Sequence, residues 1–260
     1  MLATMRFTCM SWLASFLLLA STAFAEDPRR VLFIGNSYTG FNKLPDVFLE
    51  VVKSSGRKEP VVKSATPGGQ TLHQQLTQAP SQELIAEGGW DIVVLQGQSQ
   101  EPAEAEKDAT AREHFVNSAA ELCKRIRAKS PKARIFFYET WARHADFWKD
   151  KAAMKEAGPI GANPKEMQGR LRKWYEFVAK ENKATVVPCG DAWELNYASA
   201  KPVRLHRDDN SHPELVGTYL NALIFFGKIY GVKSPAPKWT GKVDEAQAKL
   251  MQGCAAKVLK

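Results

Sequence analysis

The feature that most narrows the fold is a regular alternation of short, strongly apolar runs with longer amphipathic segments. The runs are Val31-Leu32-Phe33-Ile34, Val61-Val62, Asp91-Ile92-Val93-Val94-Leu95, Arg134-Ile135-Phe136-Phe137-Tyr138 and Thr185-Val186-Val187. Continuous rather than alternating apolarity marks a strand buried on both faces, as in a parallel sheet. Between the runs, residues 44–52, 72–85, 109–128 and 167–180 repeat apolar side chains every three or four positions. The stretch after Pro213 does the same, and 243–260 reads as a last helix. Strand and helix in alternation predict an α/β protein, a three-layer α/β/α sandwich with a mainly parallel central sheet. Right-handed crossovers then gather the strand C-terminal ends on one edge, where ligands bind in such folds.

The N-terminus stands apart. Arg6 precedes an apolar stretch running to Ala20, and Ala23-Phe24-Ala25 supplies a small-x-small triplet before Glu26. Residues 1–25 therefore read as a signal peptide cleaved near Ala25, which implies a secreted or periplasmic protein with 26–260 as a single domain. No later segment approaches the ~20 apolar residues of a membrane span, so no stable membrane insertion is expected. The net charge of +8 is spread over helix-spaced Lys and Arg, as in Lys124-Arg125-Ile126-Arg127. It lacks the aromatic interleaving of a nucleic-acid binder, and no such partner is expected. Cys9 falls in the leader, which leaves Cys123, Cys189 and Cys254 without C-x-x-C spacing. No dense disulfide framework follows; one bridge stays open in an oxidising compartment, although a helical stripe and a strand end suit buried thiols.

Gly35-Asn36-Ser37-Tyr38-Thr39 follows the first strand directly and puts a hydroxyl on a turn where glycine permits close approach, a natural place for a nucleophile. A serine needs a base, an orienting acid and oxyanion donors. Arg207-Asp208-Asp209-Asn210-Ser211-His212-Pro213 lies just ahead of a helix and supplies the first two. Asp209 can hold one ring nitrogen of His212 while the other faces Ser37, with Asp208 left as a surface or capping residue. A metal at His206, Asp209 and His212 is the rival reading of this segment. The segment offers no further obvious ligand and the serine arrangement accounts for Asp209 and His212, so no metal or cofactor is expected and His206 is read as structural. Trp141, Arg143 and His144 leave the fourth strand toward the same edge, where an aromatic plane and a cation suit a sugar or an acidic substrate, though such residues more often pack or face solvent. Residues 142–161, charged and Gly/Pro-closed, read as a surface insertion able to cover the site.

In order, these blocks resemble the SGNH hydrolases, a branch of the GDSL esterases with a flavodoxin-like fold. Gly35-Asn36-Ser37 resembles the first block, with Asn36 where many members have Asp. Gly68-Gly69-Gln70-Thr71 is similar to the second, Gly69 being the better match to its oxyanion glycine, and Asp209-x-x-His212 matches the last. Leu95-Gln96-Gly97-Gln98-Ser99 occupies the third block but lacks its usual Asn, and is similar to the Gln-Gly-Glu-Ser form of carbohydrate acetylesterases. The resemblance implies ester hydrolysis with Ser37 as nucleophile, His212 as base and Asp209 as its orienting acid. The oxyanion would be held by Ser37, Gly69 and a substitute for the missing Asn. Gln96 is taken as that substitute; Gln98, on the same face of an extended segment, competes with it, and Ser99 comes third. The implied activity is that of a carbohydrate O-acetylesterase acting on a small-molecule or polysaccharide ester. A lipid esterase of lysophospholipase type and an inactive carbohydrate-binding protein on the same fold are the alternatives.

Overall fold

The computed structural model describes residues 27–260, so the expected leader lies outside the described residues. Five parallel strands, β1 (Arg30–Ile34), β2 (Val61–Ala65), β3 (Ile92–Leu95), β4 (Arg134–Glu139) and β5 (Thr185–Pro188), pair in the order β2-β1-β3-β4-β5. The helices are α1 (Ser37–Gly40), α2 (Leu44–Ser54), α3 (Leu72–Gln75), α4 (Ala79–Glu87), α5 (Glu101–Glu104), α6 (Ala109–Lys129), α7 (Lys151–Ala157), α8 (Pro164–Glu181), α9 (Cys189–Tyr197), α10 (Leu215–Tyr230) and α11 (Glu245–Val258).

The apolar runs form strands buried on both faces because helices cover both. Val31, Phe33, Val94, Phe136 and Tyr138 point to one side, onto α2, α9, α10 and α11. Their alternates Leu32, Ile34, Val93, Leu95, Ile135 and Phe137 point to the other, onto α4, α6 and α8. The result is the expected three-layer sandwich. Helix α10 is apolar all round, and every residue from 216 to 227 is buried, because it lies between α2 and α11 as well as on the sheet.

Register sets the site. Ile34 is paired with Ala65 on one side and Leu95 on the other, and Leu95 with Phe137, so the C-terminal ends lie level. The strand order turns outward in opposite directions from β1 and β3, which opens the crevice of a doubly wound sheet beyond those two strands.

Two local readings change. Residues 72–85 form two helices rather than one, broken ahead of Pro80, whose missing N–H is tolerated only in the first turn of α4. The 142–161 stretch is not a plain surface loop but folds into a 3₁₀ turn (Ala145–Lys149) and α7, which seat Phe147, Trp148, Ala157 and Ile160 against Met167 and Leu171. Cys123, Cys189 and Cys254 are all buried free thiols. Among the described residues no helix is long and apolar enough to cross a membrane.

Candidate active site

Ser37 opens α1 immediately after β1, and His212 lies three residues ahead of α10. Distant in sequence, they meet in space: His212 Nε2 is 2.9 Å from Ser37 Oγ, and His212 Nδ1 is 2.7 Å from Asp209 Oδ2. A carboxylate can only accept, so Nδ1 carries the proton and Nε2 is left as the acceptor for the serine hydroxyl. The other Asp209 oxygen takes the backbone N–H groups of Ser211 and His212, both at 2.9 Å. Burial pushes the Asp209 carboxyl up, but these donors outweigh it and hold the group below its ordinary value. Asn210 makes the tight turn at φ +59°, a left-handed conformation that Asn tolerates better than most residues. Arg207 N–H donates to His212 O at 2.9 Å and Glu214 N–H to Leu205 O at 2.8 Å, which closes the loop as a narrow hairpin at the foot of α10. Phe41 stacks on the His212 ring with centroids 4.2 Å apart.

The turn that bears Ser37 is held by a pair of buried amides. Asn36 caps α1 by accepting Tyr38 N–H, and its Nδ2 donates to Gln70 O at 2.9 Å and Gly97 O at 3.2 Å. Asp in this position would offer no donor to those two carbonyls, which accounts for Asn36 here. Gln96 completes the pair: its Oε1 accepts Asn36 N–H (3.0 Å) and the Thr39 hydroxyl (2.9 Å), while Nε2 donates to Asn36 Oδ1 (2.9 Å) and Gly97 O. Gly35 is required beneath them, since a Cβ there would come within 2.6 Å of Gln96 Oε1.

The expectation for Gln96 is therefore corrected. Gln96 is fully buried and both its amide hydrogens are spent on the protein, so none remains for an oxyanion. Gln98 lines the cleft with Ser37, Gly69 and His212 instead. Its Oε1 is fixed by the N–H groups of Gln100 (2.6 Å) and Glu101 (3.2 Å), whereas Nε2 makes only a 3.5 Å approach to Gln100 Oε1. The free donor end of Gln98 is its amide nitrogen. Ser37 N–H, at the first position of α1, has no intrahelical acceptor, and Gly69 reaches the cleft with φ +71°. Behind Gln98 stands Glu101, whose Oε2 accepts Gln98 N–H (3.0 Å) and Leu72 N–H (3.2 Å) and whose Oε1 has no partner. Burial pushes this carboxyl up to about 7 against those two donors.

Trp141 is not the exposed platform that its place after β4 suggests. It is 1% exposed, sandwiched between Tyr38 (4.5 Å) and Trp193 (3.9 Å), and it donates from Nε1 to Ser211 O. This column supports the nucleophile helix and the His212 loop together. Arg143 does reach the cleft, with Ser99 and Ser211 beside it. His144 lines an adjoining cavity of about 380 Å³. Asp208 is exposed. His206 is buried, with Nδ1 2.7 Å from the Tyr197 hydroxyl and Nε2 2.9 Å from Ala142 O, and burial pushes it down to about 3. Among the described residues no three His, Cys, Asp or Glu gather as metal ligands. Asn42 and Ser211 escaped the sequence reading. Asn42 Nδ2 donates to Pro213 O and Thr218 Oγ1, tying the segment after the nucleophile to the base loop. The cleft between Ser37 and His212 holds about 230 Å³, and a larger cavity, of about 770 Å³, lies at the opposite edge around Arg134 and Thr185.

No family model and no curated relative matches the chain. Solved structures do. A DUF4886 family protein from Bacteroides uniformis superposes with a TM-score of 0.72 over 88% of this chain and 93% of its own, at 18% identity. A protein designated a GDSL-like lipase from Parabacteroides merdae gives 0.57 over 80% and 99%, at 16% identity. A catalytic mutant of an acetylxylan esterase from Geobacillus stearothermophilus gives 0.56 over 79% and 96%, at 14% identity. The chain has the SGNH/GDSL hydrolase fold. In that fold, Ser37, Gly69, Gln98 and His212 share one cleft, and the Gln96 amide lies under it.

Two measurements check this site without reference to turnover. Gln96→Ala strips acceptors from Asn36 N–H and the Thr39 hydroxyl in a dry position, so denaturant unfolding should show a loss of about 3 kcal/mol or more. A loss below about 1 kcal/mol would contradict the buried role. For Glu101, the folded-state value of about 7 lies above the ordinary 4.5, so its contribution to stability is present below pH 4.5 and is lost as pH rises through 7. Glu101→Gln should therefore gain on the wild type between pH 5 and pH 8, by at most about 3 kcal/mol. A constant difference between the two unfolding curves across that window would refute it.

Proposed function

We propose that this protein is a serine esterase that removes short acyl groups, acetyl above all, from carbohydrate. The observation that carries the reading is the unbroken relay from Asp209 through His212 to Ser37, with hydrogen bonds of 2.7 and 2.9 Å, ending in a cleft that also contains Gly69 and Gln98. Ser37 Oγ attacks the ester carbonyl as His212 Nε2 takes its proton, and Asp209 stabilises the imidazolium. The carbonyl oxygen becomes anionic only in the tetrahedral intermediate, where the N–H groups of Ser37 and Gly69 and the Gln98 amide receive it. Collapse expels the alcohol with the proton returned by His212, and water repeats the sequence to release the acid and regenerate Ser37. No cofactor takes part in these steps.

The size of the cleft supports a short acyl group. At about 230 Å³ the space directly at Ser37 and His212 falls below the roughly 300–1,000 Å³ of sites that engulf drug-sized ligands, which suits a small acyl group. The acetylxylan esterase among the structural neighbours and the Gln96-Gly97-Gln98-Ser99 block agree with a carbohydrate acetate, and export would put the enzyme beside such polymers.

A fluorophosphonate probe should label the protein stoichiometrically and fail to label Ser37→Ala; well-folded wild type that stays unlabelled would favour the binding-protein alternative. Across p-nitrophenyl esters, kcat/KM should fall steeply from acetate to octanoate, and it should fall on acidification because the base must be neutral to accept the serine proton. Gln98→Ala should lower kcat by about 10²- to 10³-fold with little change in KM or thermal unfolding, as for one lost oxyanion donor. Should kcat survive in Gln98→Ala, the two backbone donors suffice and Gln98 has no catalytic part.

A further inference from the structure

Arg143 stands in the wall of the catalytic cleft without an acid to face. Its Nη1 donates to the Tyr38 hydroxyl and to Ser211 Oγ, and its Nη2 to Ser99 Oγ (3.1 Å) and Gln100 Oε1 (3.0 Å). All four acceptors are neutral. Three are hydroxyls, which can rotate to donate instead, so the surroundings of the guanidinium are a set of donors in waiting. Across His212, Arg207 lies with its guanidinium carbon 5.5 Å from the Phe41 ring that stacks on the base, and among the described residues it too has no carboxylate partner. The contrast with Arg204, which pairs with Asp146 at 3.3 Å, shows that acids are placed nearby where the fold uses them. Glu104 is the acid whose charge acts on Arg143, through space and without a hydrogen bond or ion pair to it, and burial raises its carboxyl above the ordinary value.

A half-buried guanidinium whose hydrogen bonds all go to neutral oxygens has been partly desolvated, and no carboxylate in contact with it offsets the loss. An incoming anion supplies that charge, and the planar fork of Arg matches a carboxylate better than any other anion of its size. Position says which part of a substrate would carry it. Arg143 lines both the cleft with Ser37 and the adjoining mainly apolar cavity of about 380 Å³, walled by Trp141, His144 and Tyr197. A group bound by Arg143 would thus sit between the scissile ester and a space large enough for a sugar ring on the alcohol side.

We propose that Arg143, with the hydroxyls of Ser99 and Ser211, binds a carboxylate on the alcohol portion of the substrate, making the site selective for acyl esters of acidic, uronate-type sugars. This rests on the serine-esterase reading for its kinetic consequence, but the binding of the carboxylate does not.

The test compares methyl glucuronoside with methyl glucoside, and their acetates, on the wild type, Arg143→Met and Arg143→Lys. Calorimetry should find the glucuronoside bound about ten-fold to hundred-fold more tightly than the glucoside, an advantage that shrinks with added salt and is lost in Arg143→Met. Arg143→Lys, which keeps charge but not the fork, should retain only part of it. The ratio of kcat/KM for the acetylated acid over the acetylated neutral sugar should fall by about ten-fold or more in Arg143→Met. If the Met variant does not fold, the wild-type preference, its salt dependence and the Lys variant decide the matter. Equal affinity of the wild type for both sugars, or an Arg143→Met loss of the same size on both acetates, overturns the proposal and leaves Arg143 as a clamp on its neighbouring loops. Turnover of both acetates without preference sinks the carboxylate site alone; glucuronoside preference in a protein that neither turns over nor takes the fluorophosphonate sinks the esterase reading alone.

Discussion

The reciprocal amide pair between Asn36 and Gln96 is the contact on which the site depends. Parallel strands that end together at a crevice leave peptide groups of the connecting loops out of reach of water, and each needs a partner. Asn36 and Gln96 satisfy one another and serve carbonyls at Gln70 and Gly97 and the N–H of Tyr38. Three loops are thereby fixed at once: the one bearing Ser37 after β1, the one bearing Gly69 after β2 and the one bearing Gln98 after β3. Low dielectric strengthens each bond and raises the cost of losing any single member, so the network has little tolerance for substitution.

Much of this was legible in the residues. Four consecutive apolar positions in β1 and β3 can only be strands covered on both sides, and an Asp-x-x-His turn ahead of an apolar helix restricts where the imidazole can point. What was not legible turned on where regular geometry stops. Residues 96 and 98 share a face only while the strand continues. Gln96 N–H still joins the ladder, at 2.9 Å from Ile34 O, so its side chain follows the pleat inward, whereas the chain beyond Gly97 curls into α5 and releases Gln98 to the cleft. The burial of Trp141 has no local signal, because the rings that cover it, Tyr38 and Trp193, come from segments about a hundred and fifty residues apart. The break between α3 and α4 is different in kind, since Pro80 announces it locally.

The link between α1 and α2 contains stored local strain. Asn42 and Lys43 both adopt left-handed conformations, at φ 51° and 53°, each at a cost of order 1–2 kcal/mol. The bonds from Asn42 to Pro213 and Thr218 help to offset it, and they join the chain that follows the nucleophile to the helix that follows the base. Strain on the Ser37 side of the cleft is thus anchored on the His212 side.

Helix α10 gives the base an anchorage with no slack. Buried on every side from 216 to 227, it has no wet face along which to slide or fray, and its chain continues through Pro213 directly into His212. The backbone that carries His212 is thereby rooted in a helix packed into the interior, while the turn from 207 to 212 stands at the surface above it. The position of His212 therefore depends on the packing of the core, and a substitution that loosens α10 would shift the ring as well.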